Sequence, residues 1–191
     1  MSEAMNIPKL RFPEFSSNWI EKKLGAIYKD LKAGSTPSRL VSEYFQGENL
    51  WITSGELNYG YVSNTLEKIS DKAIKDTSLR LYPVGTFFIA ITGLEAPGTR
   101  GKCAINAVPS STNQSCLAFY EKEEIDTKFL FYWYNKYGIP LYFKYAQGTK
   151  QQSFNNKLVE RFDFFFSSKP EQTKIAAFLT SVDDKIEQLS K

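Results

Sequence analysis

The spacing of apolar residues changes several times along the 191-residue chain, and each change predicts an element. The clearest signal is Phe87-Phe88-Ile89-Ala90-Ile91, an unbroken apolar run behind the turn-forming Pro83-Val84-Gly85-Thr86, which predicts a strand buried on both faces. Asn49 to Thr53 reads as a shorter buried strand, closed by the polar turn Ser54-Gly55-Glu56. Cys103 to Val108 and Ser115 to Tyr120 predict a strand pair joined through Pro109–Gln114, and Leu158 to Phe166 predicts the last strand. Between these lie helical stretches. Ser70 to Asp76 reads as a capped helix of one or two turns. The aromatic run Lys128–Tyr137 predicts a helix, and Ile139–Tyr145 a second one beyond Gly138. At the C-terminal end Ile175, Leu179, Val182, Ile186 and Leu189 recur at spacings of four, three, four and three, a heptad seam widened by Ala176 and Phe178. Ser167 and Ser168 offer caps for that helix, Pro170 suits its first turn, and Glu171 suits the positive end of its dipole. An ordinary helix folded back on its own domain has the same periodicity. The whole pattern predicts a mixed α/β (α+β) domain over residues 1–168 and a coiled-coil-type helix over 169–191.

Composition narrows the class. Hydrophobic content of 42% and charged content of 24% suit a globular protein, and no apolar run approaches membrane-spanning length. Two cysteines make no disulfide framework and suit a reduced, cytoplasmic setting, where Cys103 and Cys116 pack as small hydrophobes on neighbouring strands. The net charge is only +3, but it is segregated. No acidic residue occurs from Thr127 to Val159, where Lys128, Lys136, Lys144, Lys150 and Lys157 fall, or from Ala96 to Tyr120, where Arg100 and Lys102 fall. That distribution suits one face toward a polyanion.

Three loops carry the candidate chemistry. Lys32-Ala33-Gly34-Ser35-Thr36-Pro37-Ser38-Arg39 combines hydroxyls, a flexible glycine and a guanidinium, donors that can wrap phosphate or simply join two elements. Thr92 to Lys102 is glycine-rich, with Gly93 and Gly98 at phosphate-loop spacing. Thr99 and Arg100 stand where that motif requires Lys and Ser/Thr, so it predicts a mobile basic loop. Ala146 to Asn156 is amide-rich; Gln151 and Gln152 can read adenine and Lys150 guanine or phosphate, or the amides can satisfy their own backbone.

Pro170-Glu171-Gln172, Lys174-Ile175-Ala176, Phe178-Leu179 and Asp183-Asp184-Lys185-Ile186 together closely resemble the conserved helix of specificity subunits of type I restriction-modification systems. Lys9-Leu10-Arg11-Phe12-Pro13-Glu14-Phe15 with Trp19 and Lys23-Leu24-Gly25 resembles their opening. Gly34-x-Thr36-Pro37-Ser38, Tyr44-Phe45-x-Gly47, Trp51-Ile52, the Leu-x-Pro-x-Gly-Thr turn at 81–86, Asn113-Gln114 and Gly148-x-x-Gln151 with Phe154-Asn155 resemble recurring blocks. The resemblance runs over the full chain but covers about half of such a subunit: one target-recognition domain and the start of one helix. It implies sequence-specific recognition of half of a bipartite duplex DNA target. Methyltransferase (modification) subunits and a restriction motor subunit are the implied partners.

Candidate DNA contacts are Arg39, Arg100, Lys102, Lys150, Gln151 and Gln152. The seam Ile175, Leu179, Val182, Ile186 and Leu189 is the candidate partner contact, including a homodimer through the C-terminal helix. No catalytic residue, metal or cofactor is expected. The chain has no histidine, which removes Ser-His-Asp and Cys-His nucleophiles, and no Pro-Pro dipeptide of the kind an amino-methyltransferase uses to grip a base. Pro170-Glu171 with Asp183-Asp184-Lys185 imitates a metal-dependent nuclease motif, but both parts lie on one helix, too far apart to share an ion. A protein-interaction module with no role on DNA is the competing class.

Overall fold

The structure is a computed structural model that describes residue 8, residues 10–148, residue 150 and residues 152–190. In chain order the elements are β1 (Ile20–Lys23), α1 (Leu24–Ile27), β2 (Lys32–Ala33), β3 (Asn49–Ile52), β4 (Tyr61–Val62), β5 (Lys68–Ile69) and α2 (Asp71–Thr77). Then come β6 (Phe87–Ala90), β7 (Cys103–Asn106), β8 (Ser110–Thr112), β9 (Cys116–Phe119), α3 (Thr127–Tyr145), α4 (Asn156–Val159), β10 (Asp163–Phe166) and α5 (Lys169–Leu189). A five-stranded sheet of order β2-β9-β6-β7-β4 forms the centre, flanked by a three-stranded sheet β5-β3-β8 and the pair β1-β10. This is the mixed α/β architecture that the pattern predicts.

Strand β6 explains the apolar run. Phe87 meets Phe119 in the sheet and Phe131 and Tyr134 of α3 on one face, while Phe88 meets Tyr82 on the other. All four residues of β6 are fully buried, so no polar position survives between them. The predicted pair of strands Cys103–Val108 and Ser115–Tyr120 is corrected: β7 and β9 both pair antiparallel with β6, one on each side. The segment between them supplies β8, which runs parallel to β3 in the other sheet. Cys103 and Cys116 are accordingly buried, but a strand separates them.

Helix α3 is one helix of 19 residues, not two. Asp126 caps it through bonds to the backbone N–H of Lys128 and Phe129, 3.0 and 3.1 Å. Gly138, which reads as a break, is instead a contact point: a Cβ there would lie 3.0 Å from the Cα of Gly101 and 2.9 Å from the Tyr134 ring. Pro140 is tolerated because it lies on an exposed stretch, where water can serve the Lys136 carbonyl it leaves free. The predicted last strand is also shortened. Its first part is the helical turn α4, capped by the Asn155 side chain on Leu158 N–H at 2.9 Å.

Helix α5 leaves the domain only gradually. Ser168 occupies its N-cap position but makes no side-chain cap bond. Glu171 and Gln172, both at 0% exposure, hold the first turn instead. Arg11 donates to both Glu171 carboxylate oxygens at 2.6 and 2.7 Å. The Gln172 amide donates to the carbonyls of Glu124 and Ser167 and accepts from Asp126 N–H, at 2.9, 2.8 and 2.9 Å. Further along, Tyr132 donates to Asp183 at 2.7 Å, and every described residue from Ser181 onward is exposed. Among the described residues, no helix is long and apolar enough to cross a membrane.

Candidate nucleic-acid interface

Two of the three basic loops meet at the end of α3. The amide-rich stretch is a hairpin closed by paired backbone bonds between Gln147 and Ser153, 3.2 and 3.0 Å, with exposed Lys150 between them. The glycine-rich loop runs alongside, turning at Gly93 and Gly101 with φ of +72° and +71°, values that suit glycine. Leu94 N–H donates to the Gln152 carbonyl at 3.0 Å, and Gln152 N–H donates to the Glu95 carboxylate at 2.9 Å. Phe154 N–H donates to the Ile91 carbonyl at 2.8 Å.

The side chains extend this contact. Arg100 donates through Nε to the Leu94 carbonyl at 2.8 Å and through Nη2 to the Glu95 carbonyl at 2.9 Å. Its guanidinium lies over the Tyr142 ring, 4.5 Å from the centroid, with exposed Phe143 at 5.9 Å. The Tyr142 hydroxyl donates to Gln152 Oε1. Lys102, half-buried, and Lys150, exposed, make no side-chain hydrogen bond or ion pair among the described residues. Gln151 lies outside the described residues.

Arg39 belongs to a different contact set. It pairs bidentately with Glu67, both bonds 2.7 Å, and lies 4.6 Å from the Phe45 ring centroid. The hydrogen bond from Arg39 holds the Glu67 carboxyl below its usual range. The pair is exposed, so phosphate could compete for the guanidinium only by displacing a formed partner. Gly34 in the same loop is not there for flexibility: a Cβ would fall 1.8 Å from the Thr112 carbonyl oxygen. Beside it, Thr36 donates to Gln114 at 2.6 Å, and Asn113 accepts from Ser115 N–H at 2.8 Å, which gives Asn113-Gln114 a structural role.

The helical seam divides. Ile175 and Leu179 line a mainly apolar groove of about 800 Å³ together with Trp19, Phe129, Trp133 and Leu141, with Glu21, Lys136, Lys144 and Asp163 also in its lining. Val182, Ile186 and Leu189 are exposed, the last two at 58% and 88%.

The family model described as the type I restriction modification DNA specificity domain matches residues 16–191. The chain belongs to that family. It is 31% identical over 178 residues to the type I restriction enzyme MjaIX specificity subunit of Methanocaldococcus jannaschii, which covers 91% of this chain. The chain spans 40% of the length of that relative. Among solved structures it is similar to a chain described for complex assembly and conformational transition of the type I R-M system. There the TM-score is 0.70 at 15% identity, covering 95% of this chain and 42% of that one. It is also similar to the type I restriction-modification S subunit of M. genitalium, TM-score 0.66 at 19% identity, covering 96% and 43%. At these identities the likeness is one of fold.

Within this specificity domain, the residues that sequence patterning missed are Tyr142, Glu95 and Glu67. Tyr142 reads as one more core aromatic, and it is indeed buried, but its hydroxyl and ring both serve the loops. Neither carboxylate carries a local signal, since each acts on a residue distant in sequence. The carboxylates of the nuclease-like motif are engaged elsewhere, Glu171 with Arg11 and Asp183 with Tyr132. Among the described residues, no cluster of His, Cys, Asp or Glu could hold a metal ion.

Proposed function

We propose that this specificity domain recognises one half of a bipartite duplex DNA target in the cytoplasm, as the non-catalytic specificity component of a type I restriction-modification system. The observation that supports this most is the specificity-domain match over residues 16–191. Modification methyltransferase subunits would be held over the target, with the restriction motor subunit joining them, and both reactions belong to those partners. The proposed DNA-facing set is Arg39, Arg100, Lys102, Lys150, Gln151 and Gln152, on residues 1–168, with the arm over 169–191. Lysine and arginine provide the salt-dependent attraction to phosphate, and base edges provide specificity.

The test is selection from a random duplex pool, using the chain co-purified with its methyltransferase subunit. Enrichment of a short common half-site supports the reading, and affinity should fall steeply with salt. Recovery of unrelated sequences, or binding indifferent to salt, would leave a protein-interaction module.

The exposed half of the seam supports a homodimer as the second element of this proposal. An antiparallel pairing of two α5 helices about Val182 sets Ile175 against Leu189 and Leu179 against Lys185, next to Ile186. Each copy's exposed residues then lie beside the other's apolar groove, as a twofold interface requires. Ile186→Asp should shift a sedimenting dimer to monomer; a wild-type monomer at high concentration would refute this pairing.

A further inference from the structure

The glycine-rich loop and the amide-rich hairpin are far apart in sequence, yet one side chain touches both. Tyr142 projects from the last turn of α3, 5% exposed. Its hydroxyl holds the Gln152 amide oxygen of the hairpin, and its ring lies under Arg100 of the neighbouring loop. Arg100 in turn fastens its own loop by donating to the carbonyls of Leu94 and Glu95. Backbone bonds from Leu94 to Gln152 and from Gln152 to Glu95 complete the joint.

These contacts decide what each side chain is free to do. Bidentate reading of adenine needs both the donor and the acceptor of a glutamine amide. The acceptor of Gln152 is turned inward to Tyr142. Arg100 has two of its five N–H donors committed to carbonyls and one face covered by a ring. By contrast, the ammonium groups of Lys102 and Lys150 make no hydrogen bond or ion pair among the described residues.

We propose that Tyr142 is a positioning residue for DNA recognition, locking the two loops into one preformed reading edge. Two members of the proposed DNA-facing set, Arg100 and Gln152, thereby serve as its fasteners in place of reading bases directly, and Lys102 and Lys150 meet the phosphates. The assignment rests on the proposed duplex recognition. Its physical basis is preorganisation: loops fixed in advance lose less freedom on binding, and their register against the bases is set before contact.

Tyr142→Phe removes the hydroxyl and keeps the ring beneath Arg100, so it is the variant of choice. In the complex with the methyltransferase subunit, three quantities are measured: affinity for the selected duplex over a scrambled one, the slope of log affinity against log salt, and the melting temperature. Tyr142→Phe should lower the selected-to-scrambled ratio about tenfold while leaving the salt slope unchanged, because no phosphate contact is lost. Amide exchange at Leu94 and Gln152 should quicken. The double variant Lys102→Ala/Lys150→Ala should do the opposite, reducing the slope by about 2 and preserving the ratio. A Tyr142→Phe protein that discriminates within about twofold of the wild type overturns the assignment. So does a double lysine variant with an unchanged slope. If the wild type itself shows no sequence preference, the duplex reading fails first and this proposal falls with it, an outcome separate from the other two.

Discussion

Replacing Gln172 by alanine should be among the most damaging single changes on the surface where α5 meets the domain. The amide is fully buried and makes three hydrogen bonds, to the carbonyls of Glu124 and Ser167 and from Asp126 N–H. At a net value of about 1 kcal/mol for each bond, the loss is about 3 kcal/mol, because the three backbone groups are left without their partner. For a chain of this size that corresponds to a fall of about 6–12 °C in melting temperature. The damage reaches two helices at once. Asp126, held by Gln172, also caps α3 and accepts a 2.9 Å bond from Thr173. Thr173→Ala is the control, since it removes one exposed bond from the same turn and should cost under about 1 kcal/mol. Urea unfolding followed by far-ultraviolet circular dichroism gives both numbers, provided the slope with denaturant is unchanged. A Gln172→Ala protein no less stable than Thr173→Ala would refute the idea that this amide docks the arm.

Gly34→Ala should fail to accumulate as folded protein or lose about 3 kcal/mol, since its Cβ would meet the backbone of Thr112 and Asn113 at 1.8–2.8 Å; soluble yield and melting temperature test this. Asp163 has its carboxyl held below the usual range, first by the Lys23 hydrogen bond and then by Lys144. Its contribution is therefore present above the ordinary carboxylate pKa, about 3.9, and lost as pH falls below it. Asp163→Asn should flatten the acid limb of urea midpoints measured from pH 7 to pH 3, and an unchanged limb would exclude the effect. Burial pushes both cysteine thiols up to about 12, so neither should react with a thiol reagent at pH 8 until denaturant is added; rapid labelling of native protein would contradict their burial.

Part of what could be read locally was read correctly. The run at β6 has no polar interruption because both faces are covered, and the Ser70 cap of α2 is a short-range bond of 3.2 Å to Ala73 N–H. Local signals also misled at the serine cap of α5 and at α4, whose Asn155 cap is itself short-range, but the larger failures were decided at a distance. Gly138 and Pro140 look like a helix break, yet Gly138 is small because the Gly101 loop passes against it. The strands β7 and β9 are neighbours in the predicted hairpin but separated by β6, since β8 between them is drawn to β3. The site follows the same rule. Composition drew attention to the basic loops, but not to the Tyr142 joint that unites two of them or the Glu67 carboxylate that occupies Arg39. Glu171 looked like a residue tuned to a helix dipole, whereas its partner Arg11 lies 160 positions away.

The same long-range closure has a consequence for how the protein is made. Strand β1 pairs with β10, and Arg11 with Glu171, so residues 11–23 wait for partners at 163–171. Contacts of such high sequence separation form slowly and late, and synthesis proceeds at about 5–20 residues per second. The five-stranded sheet, complete by Phe119, can therefore assemble on a ribosome before α5 has been translated. The arm then docks last, against Glu124, Asp126, Tyr132 and Arg11. Presentation of the Val182–Leu189 surface in its final orientation thus depends on the folded state of the domain behind it.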